Sequence, residues 1–255
     1  MLEPRFIPTL LLAHESLVKT VRFRHPNYIG DPINTVNIFS SLEADEVLVL
    51  DIEAAVERRG PNYILLKQIA NEAQIPFGYG GGIGSVEDVR AVLAVGAEKI
   101  VVSTAAVENP NLITAAAELA GSQAIVASLD VRTDASGRAR ITARSGTVTT
   151  DIDPLDQARR VQDLGAGEIL LMSVDREGTF SGYDLDLIRK VSSAVTIPVI
   201  ACGGAGSRSD LRRAIVEGGA SAAAAGSLFV YQNSSCNVVV NYPSQAELKG
   251  YFIAR

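Results

Sequence analysis

A glycine-rich segment occurs twice in this sequence, and the two copies lie 122 residues apart. The first reads IPFGYGGGIGS over residues 75–85, and the second reads IPVIACGGAGS over residues 197–207. Each copy predicts a short buried strand that enters a tight glycine turn and continues into a helix. Glycine lets the backbone turn without a Cβ clash, and the N–H groups of such a turn attract anions. Two matched copies therefore indicate a duplicated architecture with two anion sites, and two tight turns without a ligand are the alternative.

The internal repeat extends beyond the glycine turns. EVLVLDIE at 46–53 aligns with EILLMSVD at 168–175, and KIVVSTAAV at 99–107 aligns with ASAAAAGSLF at 220–229. A repeat with four strand–helix units is too long for a solenoid and fits half of a (βα)8 barrel. The length of 255 residues is usual for one such barrel. The sequence therefore predicts an α/β fold, a (βα)8 TIM barrel built from two half-barrel repeats, with a single domain over residues 1–255.

Eight apolar runs predict the barrel strands, and their near-continuous apolar character is typical of parallel strands covered on both faces. They lie at residues 5–12, 46–52, 76–80, 99–102, 124–131, 168–173, 198–201 and 222–225. Two connections are longer than a barrel needs, at residues 13–31 and 132–150, and the second is expected to be a hairpin that turns near Gly137. Both follow strand C-terminal ends, where barrel enzymes build their sites, so we expect them to cover a substrate.

Composition excludes several classes of function. The formal net charge is −6 and no basic stretch dominates, which argues against a nucleic-acid partner. No apolar run reaches the length of a membrane span, so no membrane partner is expected.

The two cysteines, Cys202 and Cys236, lack the spacing of a disulfide framework or a zinc site, which predicts a cytoplasmic location. We expect no metal and no cofactor. Cys202 has no basic neighbour in sequence and is predicted to be a small buried residue rather than a nucleophile.

Over residues 1–230 the sequence resembles the HisF family, the cyclase subunit of imidazole glycerol phosphate synthase. The segments that carry the resemblance are GDPI (30–33), LDI (50–52), GGGI (80–83), STAAVENP (103–110), GSQAIVASLD (121–130), GAGEILL (165–171), DREGTFSGYD (175–184) and GGAG (203–206). The resemblance implies a glutaminase docked on the N-terminal face of the barrel. Ammonia from that partner would pass down the barrel to open and cyclise a bisphosphorylated ribulosyl substrate at the C-terminal face.

The resemblance also implies two phosphate sites, each made of a glycine turn, backbone N–H groups and a hydroxyl. The first comprises Gly81, Gly82, Ser103 and Thr104, and the second comprises Gly203, Gly204, Gly226 and Ser227. Further residues expected on the substrate face are Lys19, Asp51, Glu177 and Gly178. The family usually has Asn at the position of Ser103 and Asp at that of Glu177. These two departures are compatible with a different substrate.

A gate of four charged residues is implied at the opposite end of the barrel. Arg5, Glu46, Lys99 and Glu168 occupy the family's gate positions, and each stands at the beginning of a predicted strand. Four charges at that depth must pair with one another, because an unpaired buried charge is costly. The functional interpretation is a gate that admits ammonia, and the alternative is a salt-bridge cluster that only plugs the barrel.

The catalytic pair of the family is incomplete in this sequence. The family places one Asp at the end of strand 1 and another at the end of strand 5. Asp130 is present, but its partner position is Leu11, and an alkyl side chain neither gives nor takes a proton. His14 and Glu15 follow closely and are the residues that could replace the missing acid, although they are predicted to lie in a loop.

Two stretches resemble a branch of HisF-like proteins found with bacterial surface-polysaccharide genes, LLAHESLVKTVRFRHPNYIGDPI (11–33) and VVVNYPS (238–244). In that branch a glutaminase and the barrel supply ammonia to a third enzyme, which makes an amidino group on a sugar. We therefore predict an ammonia-receiving amidotransferase subunit that acts on a phosphorylated small molecule. A true cyclase of histidine biosynthesis is the first alternative and a non-catalytic ammonia-channelling scaffold the second. The sister ribonucleotide isomerase ranks lower, because it needs two carboxylates and has no use for a gate.

Overall fold

A computed structural model describes residues 4–232, 236–244 and 246–248 of the chain. Eight parallel strands form a closed barrel, in which the eighth strand pairs with the first and the fifth pairs with the sixth. The barrel strands are β1 (Arg5–Ala13), β4 (Val47–Asp51), β5 (Phe77–Gly80), β6 (Lys99–Val102), β7 (Ile125–Thr133), β10 (Glu168–Ser173), β11 (Val199–Cys202) and β12 (Ala222–Ala225). The predicted TIM barrel is confirmed, and every predicted strand agrees with the structure within two residues at each end.

Helices cover the outside of the barrel and connect its strands. They are α1 (Pro32–Ser41), α2 (Ala54–Glu57), α3 (Tyr63–Glu72), α4 (Val86–Val95), α5 (Thr104–Glu108), α6 (Asn111–Ala120), α7 (Pro154–Asp163), α8 (Leu185–Ala194), α9 (Arg208–Val216) and α10 (Ser227–Val230). A large apolar layer lies between helices and strands, and a second fills the barrel interior around Ile7, Leu48 and Leu170. Within the described residues, no helix has the length and apolar character needed to cross a membrane.

The half-barrel repeat is visible in the details of helix capping. Ser85 caps α4 and Ser207 caps α9, and each forms a reciprocal capping box with the Asp three residues later, Asp88 or Asp210. The backbone N–H of the glycine before each cap donates to the same Asp at an N···O distance of 3.1 Å in both halves. The two glycine turns are therefore built by the same local interactions.

Both long connections form antiparallel hairpins above the C-terminal end of the barrel. The expected hairpin near Gly137 is confirmed, because β7 continues to Thr133 and pairs with β8 (Ala139–Ala143), which pairs with β9 (Val148–Thr149). Residues 13–31 were expected only as a long connection. They form β2 (Ser16–Val21) and β3 (Arg24–Gly30), and β2 pairs with the end of β1.

Candidate functional site

The C-terminal ends of the first-half strands surround a cavity of about 560 Å³. This volume lies within the range of small-molecule sites. The predicted first phosphate site lines the cavity, and so do Leu11 and Asp130. Parallel strands bring these residues together because all of their carboxyl ends meet at one face.

Asp130 projects from β7 and is held by two serine hydroxyls. Ser103 Oγ donates to Asp130 Oδ2 at 2.9 Å, and Ser128 Oγ donates to Oδ1 at 3.0 Å. Burial raises the pKa of Asp130, while the two serine hydrogen bonds act in the opposite direction. Asp130 therefore holds its proton to higher pH than a solvated Asp does, which suits a group that gives and takes protons. Ser128 was not singled out from the sequence, although its place two residues before Asp130 puts it on the same strand face.

Leu11 lies near the C-terminal end of β1, in an apolar patch that faces the same cavity. Its neighbours in the sheet are Leu50 of β4 and Val18 of β2, and all three belong to one apolar cluster. Within the part of the chain that the structure describes, neither His14 nor Glu15 takes the place of the missing carboxylate. The His14 side chain is 80% exposed and lies 3.2 Å from Glu53, and Glu15 accepts a hydrogen bond from Asn62. Neither His14 nor Glu15 lines the cavity.

The first glycine turn is shaped by close backbone packing. Gly81 and Gly82 have φ angles of 117° and 70°, which glycine adopts readily. A Cβ on Gly81 would lie 2.4 Å from the carbonyl oxygen of Asp51. Thr104 Oγ1, at the start of α5, accepts from the backbone N–H of Arg144 at 3.0 Å, which ties the beginning of α5 to the β8–β9 hairpin.

Asp51 stands at the rim of this cavity and organises the segment that follows β4. Its carboxylate accepts two hydrogen bonds from Arg59, with N···O distances of 2.7 and 3.0 Å, and one from the backbone N–H of Ala54. The Asp51 interaction raises the pKa of Arg59 further above its usual value. Asp51 therefore lies at the C-terminal end of the barrel, where it lines the cavity, and its carboxylate is already occupied by protein groups.

The predicted second phosphate site lines a smaller cavity of about 30 Å³. Gly203, Gly204, Gly226 and Ser227 surround it, together with the predicted substrate-face residues Lys19, Glu177 and Gly178. The ammonium of Lys19 forms a buried ion pair with Glu177. A Cβ on Gly178 would lie 2.3 Å from the carbonyl oxygen of Thr20, so this glycine permits a close approach of β2.

Cys202 ends β11 beside the smaller cavity and is buried. Burial raises the pKa of its thiol to about 12. The thiolate is the nucleophilic form, and it is scarce at neutral pH when the pKa is that high. The expectation that Cys202 is a buried residue is confirmed.

The four residues predicted to form a gate make a closed ring of ion pairs at the N-terminal end of the barrel. Arg5 contacts Glu46 at 2.5 Å and Glu168 at 2.6 Å, and Lys99 contacts the same two carboxylates at 2.9 and 2.8 Å. Each charge therefore has two partners of opposite sign. Glu46 is 3% exposed on its side chain, and its Oε1 has no hydrogen-bond partner among the described residues. The structure brings all four residues together as expected.

One group of side chains has the spacing that metal ligands require. His14, Glu53 and Glu57 have potential ligand atoms within 4.8 Å of one another. Glu57, however, pairs with Arg59 at 2.6 Å, and the backbone N–H of His14 donates to Glu53. These contacts explain why the three side chains lie close together: they belong to a surface network of ion pairs and hydrogen bonds between protein groups.

The sequence matches the family described as "Histidine biosynthesis protein" over residues 5–235. A HisF subunit of imidazole glycerol phosphate synthase from Alkaliphilus metalliredigens is 46% identical over 238 residues, covering 92% of this chain and 93% of that protein. A relative from Leptospira interrogans is 44% identical over 253 residues, covering 99% of this chain and all of the relative. A relative from Vibrio vulnificus, named hisF3, is 42% identical over 250 residues, covering 98% and 96%. The names of these last two mark the HisF assignment as provisional. The agreement extends over nearly the whole of each chain and includes both barrel halves, so this chain belongs to the HisF family.

Proposed function

We propose that this barrel is the ammonia-receiving subunit of a glutamine amidotransferase whose acceptor is not the cyclisation substrate of histidine biosynthesis. The acceptor is a phosphorylated compound of surface-polysaccharide biosynthesis that gains an amidino group. The observation that carries this proposal is the replacement of one catalytic carboxylate by Leu11 in the cavity that contains Asp130. Cyclisation needs an acid and a base, and the position near the end of β1 that holds the family's second Asp carries an alkyl side chain here.

Asp130 supports the simpler chemistry of ammonia addition. When ammonia attacks an electrophilic carbon, one proton must leave the nitrogen and one must reach the oxygen or leaving group. A single carboxyl group with a raised pKa can accept the first proton and pass it on. The serine pair at 2.9 and 3.0 Å holds that carboxyl in one orientation, which favours transfer at a fixed atom.

The ring of Arg5, Glu46, Lys99 and Glu168 supports the arrival of ammonia from the opposite face. Its two positive and two negative charges sum to zero, so the ring presents no net charge to a neutral molecule. Glu46 Oε1 offers a hydrogen-bond acceptor that the described residues leave unused. We propose that a glutaminase docks over this ring, and the word "subunit" in the names of the relatives agrees with an assembly of this kind.

Two measurements test the proposal. The chain is mixed with the glutaminase encoded nearest to its gene, and glutamine hydrolysis is followed with and without the barrel. We expect the barrel to co-purify with the glutaminase and to raise its activity; two proteins that neither associate nor change each other's kinetics would contradict the amidotransferase function.

The second measurement separates the proposal from the cyclase alternative. The gene is introduced into a histidine auxotroph that lacks its own HisF, with an immunoblot to establish that the folded barrel is present. We expect no growth without histidine. Growth would favour the true cyclase and would overturn the proposed acceptor.

A further inference from the structure

The segment VVVNYPS (238–244) follows α10 in the chain and packs back against it. The backbone N–H of Asn241 donates to the carbonyl oxygen of Phe229 at 2.9 Å, and its side-chain amide donates to that of Leu228 at 3.3 Å. Tyr242 comes next and is buried, with its ring packed on the ring of Phe229 at a centroid distance of 5.3 Å. The backbone and the ring of Tyr242 are therefore both held by α10.

The hydroxyl of Tyr242 reaches the beginning of β1. It donates to the carbonyl oxygen of Phe6 at 2.8 Å and lies 3.2 Å from Asp45 Oδ2. The same Asp45 oxygen accepts from the backbone N–H of Phe6 at 2.8 Å. The register of β1 with β4 begins at Thr9, so Phe6 precedes it. Tyr242 and Asp45 thus bind both backbone polar groups of Phe6 at a point where β4 does not yet pair with β1.

This contact lies directly beside one ion pair of the ring of four charges. Phe6 follows Arg5 in β1, and Asp45 precedes Glu46 just before β4. The Arg5–Glu46 ion pair, with an N···O distance of 2.5 Å, joins the same two chain segments one residue away. The two contacts therefore move together, and Tyr242 fixes the first of them.

Arg5 is the ring member whose position depends most on its backbone. Its side chain is 29% exposed, against 3% for Glu46, 15% for Lys99 and 13% for Glu168. Exposed side chains change rotamer readily, so the strand that carries Arg5 decides where its guanidinium can lie. Ion pairs at such depth are favourable only with good geometry. A shift of the beginning of β1 would weaken both ion pairs of Arg5.

Tyr242 remains a hydrogen-bond donor throughout the physiological pH range. Burial raises the pKa of Tyr242, and the nearby charge of Asp45 raises it further. The phenol therefore keeps its proton and donates it to the carbonyl oxygen of Phe6. A phenylalanine at this position would keep the ring contact with Phe229 and lose only the hydroxyl.

We propose that Tyr242 is a positioning residue for the ring of four charges. It fixes the beginning of β1 against the segment that precedes β4, and so sets where Arg5 meets Glu46. The inference rests on the proposed function, in which a glutaminase docks over the ring. Because Tyr242 is buried, it acts on the docked glutaminase through Arg5 rather than by contact with it.

The first measurement needs no glutaminase. Solvent exchange of the Arg5 guanidinium protons is followed by NMR in the purified full chain. We expect this exchange to be about fivefold faster in Tyr242→Phe, because one hydrogen bond that orders the beginning of β1 is lost. Asp45→Ala removes the same link from the other side and should have a similar effect.

Tyr183→Phe is the matched control. The Tyr183 hydroxyl is also buried and donates to a strand carbonyl, that of Ala224, at 2.9 Å. Ala224 lies in β12, which carries no member of the ring. Tyr183→Phe should therefore lower the melting temperature about as much as Tyr242→Phe does. Exchange at Arg5 should stay within about twofold of the wild type, since the bond that is lost lies elsewhere.

The second measurement is glutamine hydrolysis by the glutaminase at saturating barrel. Tyr242→Phe should reduce the stimulation about fivefold, and Tyr183→Phe should leave it within about twofold of the wild type. In an Arg5→Gln background, Tyr242→Phe should have little further effect. Substitutions that act through one contact are not additive, whereas two independent structural losses are.

Three results would overturn the inference. They are an Arg5 exchange rate that Tyr242→Phe leaves unchanged, an equal increase in Tyr183→Phe, and a loss of stimulation by Tyr242→Phe that is undiminished in the Arg5→Gln background. A wild-type barrel that fails to stimulate the glutaminase would instead contradict the proposed function, and the exchange measurement would still decide the role of Tyr242.

Discussion

Ser103 donates a hydrogen bond of 2.9 Å to Asp130, so a residue assigned to a phosphate site also holds the carboxyl group proposed for proton transfer. The bond joins the ends of β6 and β7 and gives Asp130 one of its two serine donors. A ligand phosphate at the first glycine turn would compete for the same hydroxyl. Ligand binding and the protonation of Asp130 are therefore expected to be coupled.

Asp130→Asn is expected to stabilise the free protein at neutral pH. The pKa of Asp130 is raised in the folded state, so the native protein binds more protons than the unfolded chain between the two pKa values. Stability then falls as pH rises through that window and remains lower above it. Thermal unfolding at pH 7 should show a higher melting temperature for Asp130→Asn than for the wild type. The gain should vanish below pH 4, and a variant less stable than the wild type at pH 7 would contradict this.

Leu11→Asp should introduce cyclase activity that the wild type lacks. A carboxylate at the end of β1 would restore the acid–base pair with Asp130, and such a group typically contributes a factor of about 10²–10⁴. Turnover of the histidine-pathway substrate is measured with ammonium salts as the nitrogen source. Leu11→Asn is the control, because it has the same shape and polarity without a titrating proton. Robust turnover by the wild type would contradict the role assigned to Leu11.

Glu46→Gln should strongly destabilise the barrel. Glu46 is buried and accepts from both Arg5 and Lys99, so its neutralisation leaves two cations facing one carboxylate. Removal of one partner from a buried ion pair typically costs about 3–5 kcal/mol. Denaturant unfolding measures the loss. Glu247→Gln is the control, since Glu247 pairs with Arg208 at a similar distance of 2.6 Å on an exposed surface, and it should change stability little. Equal effects of the two substitutions would show that the ring is not a buried network.

Ser85→Ala and Ser207→Ala should destabilise the protein by nearly equal amounts. The two serines cap equivalent helices with the same reciprocal bonds to Asp88 and Asp210. Loss of a serine cap costs about 1 kcal/mol. The unfolding free energies of the two variants are compared in one denaturant series. A difference well above about 0.5 kcal/mol would mean that the two halves of the barrel are not energetically equivalent.

The sequence by itself determined the barrel, its strands and the pairing of its two halves. Strand-length apolar runs and glycine turns are local patterns in the sequence. Such patterns are sufficient to predict the fold when every strand–helix unit packs in the same way. The four charges of the ring were implied by the resemblance, and their meeting at one end of the barrel followed from their places at the beginnings of parallel strands. Leu11 was identified through the resemblance, because it stands where the HisF family has the second catalytic Asp.

Only the tertiary structure decided how the C-terminal end of the barrel is covered by the loops that follow its strands. The β2–β3 hairpin turns through Arg22 and Phe23, which lack the Asn or Gly signature that makes such turns recognisable. The Lys19–Glu177 pair joins residues 158 apart, and the Arg144–Thr104 bond joins residues 40 apart. No periodic pattern encodes contacts over these separations, because they depend on where the closed barrel places loops that are distant in sequence. For that reason the two glycine turns are equivalent in sequence and unequal in the space they offer a ligand.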